Sequence, residues 1–311
     1  MALPAIRDLR THFADAHVAV AARPSVAMLF RAVPGIDAIV APGAGGGDIA
    51  VIFPNSFRSA WQLRRARVPE RWGYSSDMRG FLLTKAVRRP RGKMHFAEYY
   101  QHLVRELGVE TGPLTPRLEV PDANVTAADA LLARHGWIHD GGRRLIAIAP
   151  GAAVGHAKRW PTERFAAVAA SLREELDAAC VIIGRSEDRD AVPDSLSNGS
   201  IDLVGKTDLL TLMGVLSRCS VLIGNDSGAA HLAAALGVSV TVIYGPTDER
   251  YSLPLSSREQ PGGRVRGLSH QVFCRPCGLA DCPIDHRCMK RIAADQVLAA
   301  VREQLELGVS A

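Results

Sequence analysis

Aromatic side chains make up only 5% of these 311 residues, and no uninterrupted apolar run approaches the roughly 18–20 residues of a helical membrane span. No such span is expected. The N-terminus has no basic stretch followed by an apolar core, so no secretory leader is legible and a cytoplasmic location is the default expectation. Nucleic acid is not an expected partner either: no helix-turn-helix or RNA-binding signature occurs, and few aromatics interleave with the basic residues. No Gly-x-Gly-x-x-Gly follows a strand-like run, which argues against a dinucleotide-binding oxidoreductase. Acidic residues are scarce in one stretch. Residues 58–93 hold 11 Lys and Arg but only Glu70 and Asp77 as acids, whereas residues 141–311 hold 19 of each sign. The net charge of +5 therefore lies in the first half, which should attract an anionic surface or polymer unless it is merely a solvated basic face.

What is present points to an α/β protein. Apolar content of 47% and charged content of 22% suit a globular chain, and the length allows two α/β domains. Strand-like runs at 18–22, 38–40 and 49–53 alternate with helical stretches, as in a doubly wound parallel sheet. Helices are expected over 94–107 and near 127–134, with a Gly-, Pro- and Thr-rich connection at 108–121. A second series runs through 145–149, 179–183, 221–223 and 239–243. The predicted domains are 1–140 and 141–311.

Two strand–loop–helix junctions in the second series carry the chemistry. Gly224-Asn225-Asp226-Ser227-Gly228-Ala229-Ala230-His231 lies between an apolar strand and an alanine-rich helix over 229–236. Backbone N–H groups at such a helix start suit a phosphate or sugar hydroxyls, and Asp226 could accept hydrogen bonds from those hydroxyls. A plain N-cap is the structural alternative. Pro150 to Pro161 forms the other junction and includes Lys158, a compact positive charge suited to a diphosphate or simply solvated.

With Tyr244-Gly245-Pro246-Thr247-Asp248, these motifs resemble glycosyltransferase family 9, the ADP-heptose:lipopolysaccharide heptosyltransferases. Phe53-Pro54-Asn55-Ser56-Phe57-Arg58-Ser59-Ala60, Arg71-Trp72-Gly73-Tyr74 and Asp77-Met78-Arg79 are most similar to its heptosyltransferase II branch. The resemblance implies a GT-B-like fold, two Rossmann-like domains facing a cleft, and inverting transfer of heptose from ADP-heptose to the anionic lipopolysaccharide inner core. The enzyme would work in contact with the inner face of the cytoplasmic membrane. Lys158 would stabilise the leaving diphosphate. Asp226, Ser227, Gly228, His231 and Glu187 would bind the donor, while Asn55, Ser56, Arg58 and Arg79 would lie on the acceptor side. For His231 a core position, and for Glu187 a solvated loop, are the structural alternatives.

The family begins with a strand and a Gly-Asp pair whose Asp is taken as the base, followed by a segment like Met1 to Arg10. The chain as given lacks both features, so it is expected to be inactive and Met1 to be internal to a longer protein. Asp8 and Asp15 fall inside or after the first helix and are poor substitutes. The competing readings are a genuine short protein that binds sugar nucleotides without catalysis, and a family 9 transferase with another donor. No cofactor is implied. Cys274, Cys277, Cys282 and Cys288, with His286 among them, suit structural zinc, reduced thiols packing a loop, or disulfides. Cys180 and Cys219 read as core thiols.

Overall fold

Strands separated by helices cannot close as hairpins, and every strand pairing among the described residues is parallel. The computed structural model describes residues 1–139, 142–152, 155–256 and 264–306. It divides into two units, Met1–Glu119 and Val120–Ala311.

In the first unit β1 (Ala19–Ala21) pairs with β2 (Ala38–Val40), while β3 (Ile49–Ile52), β4 (Glu70–Tyr74) and β5 (Lys85–Val87) form a separate sheet in that order. Ala60 and Leu82 pack on Ile52, and Leu103 and Leu107 pack on Tyr74 and Val87. The buried carboxylate of Asp8 accepts from Gln101 Nε2 at 2.7 Å and from the Arg7 guanidinium at 2.9 Å, joining the helix Leu3–His12 to the helix Phe96–Glu106. Asp8 is thereby committed to structure.

The second unit holds β6 (Leu145–Ala149), β7 (Ala179–Ile182), β8 (Ile201–Asp202), β9 (Cys219–Asn225), β10 (Ser239–Tyr244) and β11 (Val265–Ser269), in the order β11-β10-β9-β6-β7-β8. The inner strands β6, β7 and β10 are buried at every position, which is why β6 and β7 read as continuous apolar runs, while β10 also buries Ser239 and Thr241. Trp160 and Phe165 pack edge to face at 4.8 Å beside them. Cys180 and Cys219 are core thiols, and burial pushes Cys180 up to about 11.

This unit starts earlier than residue 141. The helix Asp122–Arg134 packs on the helix Leu209–Ser217 at Gly214, where a Cβ would stand 2.4 Å from the Asn124 carbonyl oxygen. Arg218 donates to both carboxylate oxygens of Asp129 at 2.7 Å, binding that helix to the second core. The boundary predicted at residue 140 therefore moves to Val120, and residues 140 and 141 themselves lie outside the described residues. Among the described residues no helix is long and apolar enough to cross a membrane.

Candidate functional site

The strand order of the second unit reverses between β6 and β9. From β6 the chain proceeds to β7 and β8 on one side, and from β9 to β10 and β11 on the other. Loops leaving the carboxyl ends of those two strands diverge, and the resulting crevice is where open parallel sheets bind ligands. Both sequence-predicted junctions emerge there. Of the junction Pro150 to Pro161, Ala153 and Val154 lie outside the described residues.

Lys158 ends the short helical turn His156–Lys158, and its Nζ donates to Asp226 Oδ2 at 2.7 Å. Asp226 is 8% exposed and Lys158 25%, so the pair is partly screened on the lysine side only. Thr247 Oγ1 donates to the same oxygen at 2.8 Å. Asp226 thus gathers residues from the loops after β6 and β10 around the end of β9. The helix Gly228–Ala235 starts immediately beyond. Its N-cap residue Ser227 makes no side-chain cap bond, and a Cβ on Gly228 would meet nothing within 4 Å. Gly228 is exposed, and the first N–H groups of a helix have no intrahelical partner, so this helix start is suited to an anion. His231 lies one turn farther on and is partly buried.

Asn225, fully buried, fixes this corner. Its Oδ1 accepts from the Trp160 backbone N–H at 3.0 Å, and its Nδ2 donates to the Pro150 carbonyl at 2.7 Å. Asn225→Ala leaves both backbone groups buried without partners, with an expected loss of about 2–4 kcal/mol, read as a lowered urea midpoint at unchanged slope. A second brace lies under the Thr247 loop: Arg275, 3% exposed, donates to the carbonyls of Gly245 at 2.8 Å and Thr247 at 3.0 Å and pairs with Glu249. The sequence motifs contain Asn225 and Thr247, but nothing in their spacing marks which polar side chains turn inward.

Glu187 is exposed and accepts from Ser186 Oγ at 3.4 Å. Its neighbour Asp188 is the integrated acid of that loop. Buried Asp188 accepts from the Arg185 N–H at 3.0 Å, lies against Gly151, where a Cβ would come within 2.3 Å of its Cγ, and keeps Oδ1 without a hydrogen-bond partner. Sequence reading missed Asp188 because one of two adjacent loop acids carries no burial signal.

In the first unit, Asn55 Oδ1 accepts from the Tyr99 hydroxyl at 3.1 Å, and Ser56 caps the helix Phe57–Arg65 by accepting from the Ser59 N–H at 3.4 Å. Arg58 is exposed. Arg79 is fully buried: its Nε donates to the Tyr74 carbonyl at 2.9 Å, and one terminal nitrogen donates to the Ser56 carbonyl at 3.0 Å and the Ser59 hydroxyl at 2.9 Å. Burial holds its pKa below the ordinary guanidinium range. Arg79 therefore holds the loop of Asn55 and Ser56 in place and presents no charged head at the surface.

Cys274, Cys277, Cys282 and Cys288 are free thiols. Cys282 Sγ accepts from the His286 N–H at 3.3 Å, and such backbone donors hold its pKa below the usual thiol range, while burial raises that of Cys288. Among the described residues no group of three or more His, Cys, Asp or Glu is placed to hold a metal ion, and structural zinc gains no support.

The model of glycosyltransferase family 9 (heptosyltransferase) matches residues 43–270. Lipooligosaccharide heptosyltransferase 2 of Haemophilus influenzae is 30% identical over 223 residues, covering 68% of this chain but only 64% of that relative. Lipopolysaccharide heptosyltransferase 2 of Salmonella typhimurium is 31% identical over 235 residues, covering 72% and 67%. The solved structure of the Escherichia coli ADP-heptose lipopolysaccharide heptosyltransferase II superposes with a TM-score of 0.79 at 23% identity, covering 98% of this chain and 94% of that one, which establishes the shared fold.

Proposed function

We propose that this chain, which belongs to glycosyltransferase family 9, serves inverting transfer of heptose from ADP-heptose to the anionic inner core of lipopolysaccharide. The observation that carries the reading is the Lys158–Asp226 pair at the β6/β9 switch, beside the open start of the helix Gly228–Ala235. The bond from the anomeric carbon to the β-phosphate oxygen breaks with its electron pair passing to the diphosphate. Lys158 and the N–H groups at Ser227 and Gly228 stabilise that charge, and a base takes the proton of the attacking hydroxyl. Asp226 orients donor hydroxyls with His231, and Glu187 reaches toward the nucleoside. No step calls on a metal ion.

The second unit, Val120–Ala311, acts as the donor domain in this reading and the first, Met1–Glu119, as the acceptor side. There Asn55, Ser56 and Arg58 meet the acceptor, and Arg79 positions their loop. The basic stretch 58–93 draws the protein to the lipopolysaccharide core at the inner face of the cytoplasmic membrane.

The test uses protein isolated from its native source, ADP-heptose and heptose-deficient lipopolysaccharide. One ADP released per heptose gained by the core is the expected result. Preference for a uridine or guanosine diphosphate sugar, or donor binding without any transfer, would overturn the assignment.

A further inference from the structure

In a parallel sheet the loops that follow successive strands emerge at one end. The loop after β3 starts the helix Phe57–Arg65, the turn after β4 carries Met78 and Phe81, and the loop after β5 carries Arg88, Arg89, Arg91 and Lys93. The carboxyl end of this sheet thus collects two kinds of side chain.

The first kind is apolar and exposed. Met78 is 89% exposed, Phe81 74%, Trp61 49% and Phe57 38%. The three rings form one patch, the Phe57 ring lying 6.3 Å from that of Trp61, one helical turn along, and 6.2 Å from that of Phe81, and Met78 stands in the turn that precedes Phe81. Backbone geometry holds the patch outward. Asp77 and Met78 both take left-handed conformations, φ 51° and 52°, unusual for non-glycine residues, and Asp77 Oδ2 accepts from the Phe57 N–H at 2.5 Å, tying this turn to the helix start.

The second kind is cationic. Arg58, Arg88, Arg89, Arg91 and Lys93 are exposed at the same end. Arg89 lies over the Tyr99 ring at 5.8 Å, and Tyr99 bonds Asn55 in the loop leading to Phe57, so the basic loop borders the apolar patch. Of the two acids in 58–93, Asp77 is engaged with Phe57, and Glu70 opens β4 at the opposite end of the sheet, bonded to Trp72 and Thr84.

Exposed aromatic and thioether groups rimmed by guanidinium and ammonium groups fit an interface that is negative at its surface and apolar beneath it. We propose that Phe57, Trp61, Met78 and Phe81 insert into an anionic phospholipid bilayer, with the basic loop 88–93 on the headgroups. This deepens the membrane contact proposed above from a charge argument to named side chains, and it rests on that reading only for the choice of partner. A nucleic acid would need the cations but has no use for Met78 and Phe81 so fully presented.

The whole chain is sedimented with vesicles of phosphatidylglycerol and phosphatidylethanolamine, and with vesicles of phosphatidylcholine. It is expected to follow the anionic vesicles, to shift its tryptophan emission to the blue, and to retain part of its binding at high salt. Trp137 and Trp160 are buried, and partly buried Trp72 holds its indole N–H on Glu70 at the opposite end of the sheet, so the shift should vanish in Trp61→Phe. Phe81→Ser, at a site exposed enough to leave the fold intact, lowers partition about tenfold, while Ile138→Ser in the second unit changes nothing. Equal binding to both vesicle types, or partition unchanged in Phe81→Ser, would overturn the proposal. ADP-heptose binding measured on the same preparations reports separately on the transferase reading.

Discussion

Lys158→Ala should weaken ADP-heptose binding by about ten- to a hundredfold while leaving the fold intact. The lysine is the cation beside the open helix start, and a hydrogen bond to a charged group contributes about 1.5–3 kcal/mol. Stability should fall as well, by about 1–3 kcal/mol, because buried Asp226 keeps only the Thr247 hydroxyl as a side-chain partner. Lys158→Arg should not restore affinity fully, since a planar fork replaces a compact ammonium. Calorimetric titration of the three proteins reads affinity, and urea unfolding reads stability. An unchanged affinity in Lys158→Ala would remove the lysine from the donor site.

Gly155→Ala should lower stability by about 3–5 kcal/mol and donor affinity with it. Gly155 has φ 72°, and an added Cβ would stand 1.9 Å from the carbonyl oxygen of Ala280. That clash is with backbone, so no side-chain rotation relieves it. The same carbonyl accepts from the Ala157 N–H at 2.9 Å, next to Lys158. Pushing it away disturbs the turn that aims the lysine at Asp226. An unfolding free energy in urea within about 1 kcal/mol of the parent would mean that the loop near Ala280 yields freely, and that Lys158 is not held from this side.

In the second sheet the inner strands were legible because burial on both faces leaves largely apolar runs: β6 falls where the sequence places it, and β7, β9 and β10 lie close to the runs that announce them, while half-buried β2 of the two-stranded sheet falls on the predicted 38–40. β4 was not legible as a strand, although its residues are part of a family motif. Arg71 and Gly73 interrupt its apolar run, yet Arg71 is buried and donates to the carbonyls of Leu82 at 2.7 Å and Pro69 at 2.8 Å. Gly73 is small because Ile52 of β3 crowds it, with a would-be Cβ 3.2 Å from the Ile52 carbonyl oxygen. β5 and β11 carry exposed residues and lie at sheet edges, so they lack the pattern of a buried strand.

The site was legible as two junctions but not as a network. Asp226 and Lys158 stand 68 residues apart, and only the strand order brings them to 2.7 Å. Arg79 shows the converse limit. Its motif suggested a surface contact, but the turn after β4 folds its guanidinium inward onto the carbonyls of Tyr74 and Ser56. Glu187 and Asp188 are adjacent acids, and it is Asp188 that the bare Gly151 backbone admits and the Arg185 N–H holds.

The central claim is that the β6/β9 switch of the second unit binds an ADP-sugar through Lys158 and Asp226. Isothermal titration of the chain with ADP-heptose, in parallel with uridine and guanosine diphosphate sugars, tests it most directly. The account predicts one site per chain, a clear preference for the adenosine nucleotide, and strongly reduced heat in both Lys158→Ala and Asp226→Ala. Binding of all three nucleotides with equal affinity, or binding that survives both substitutions, would contradict it.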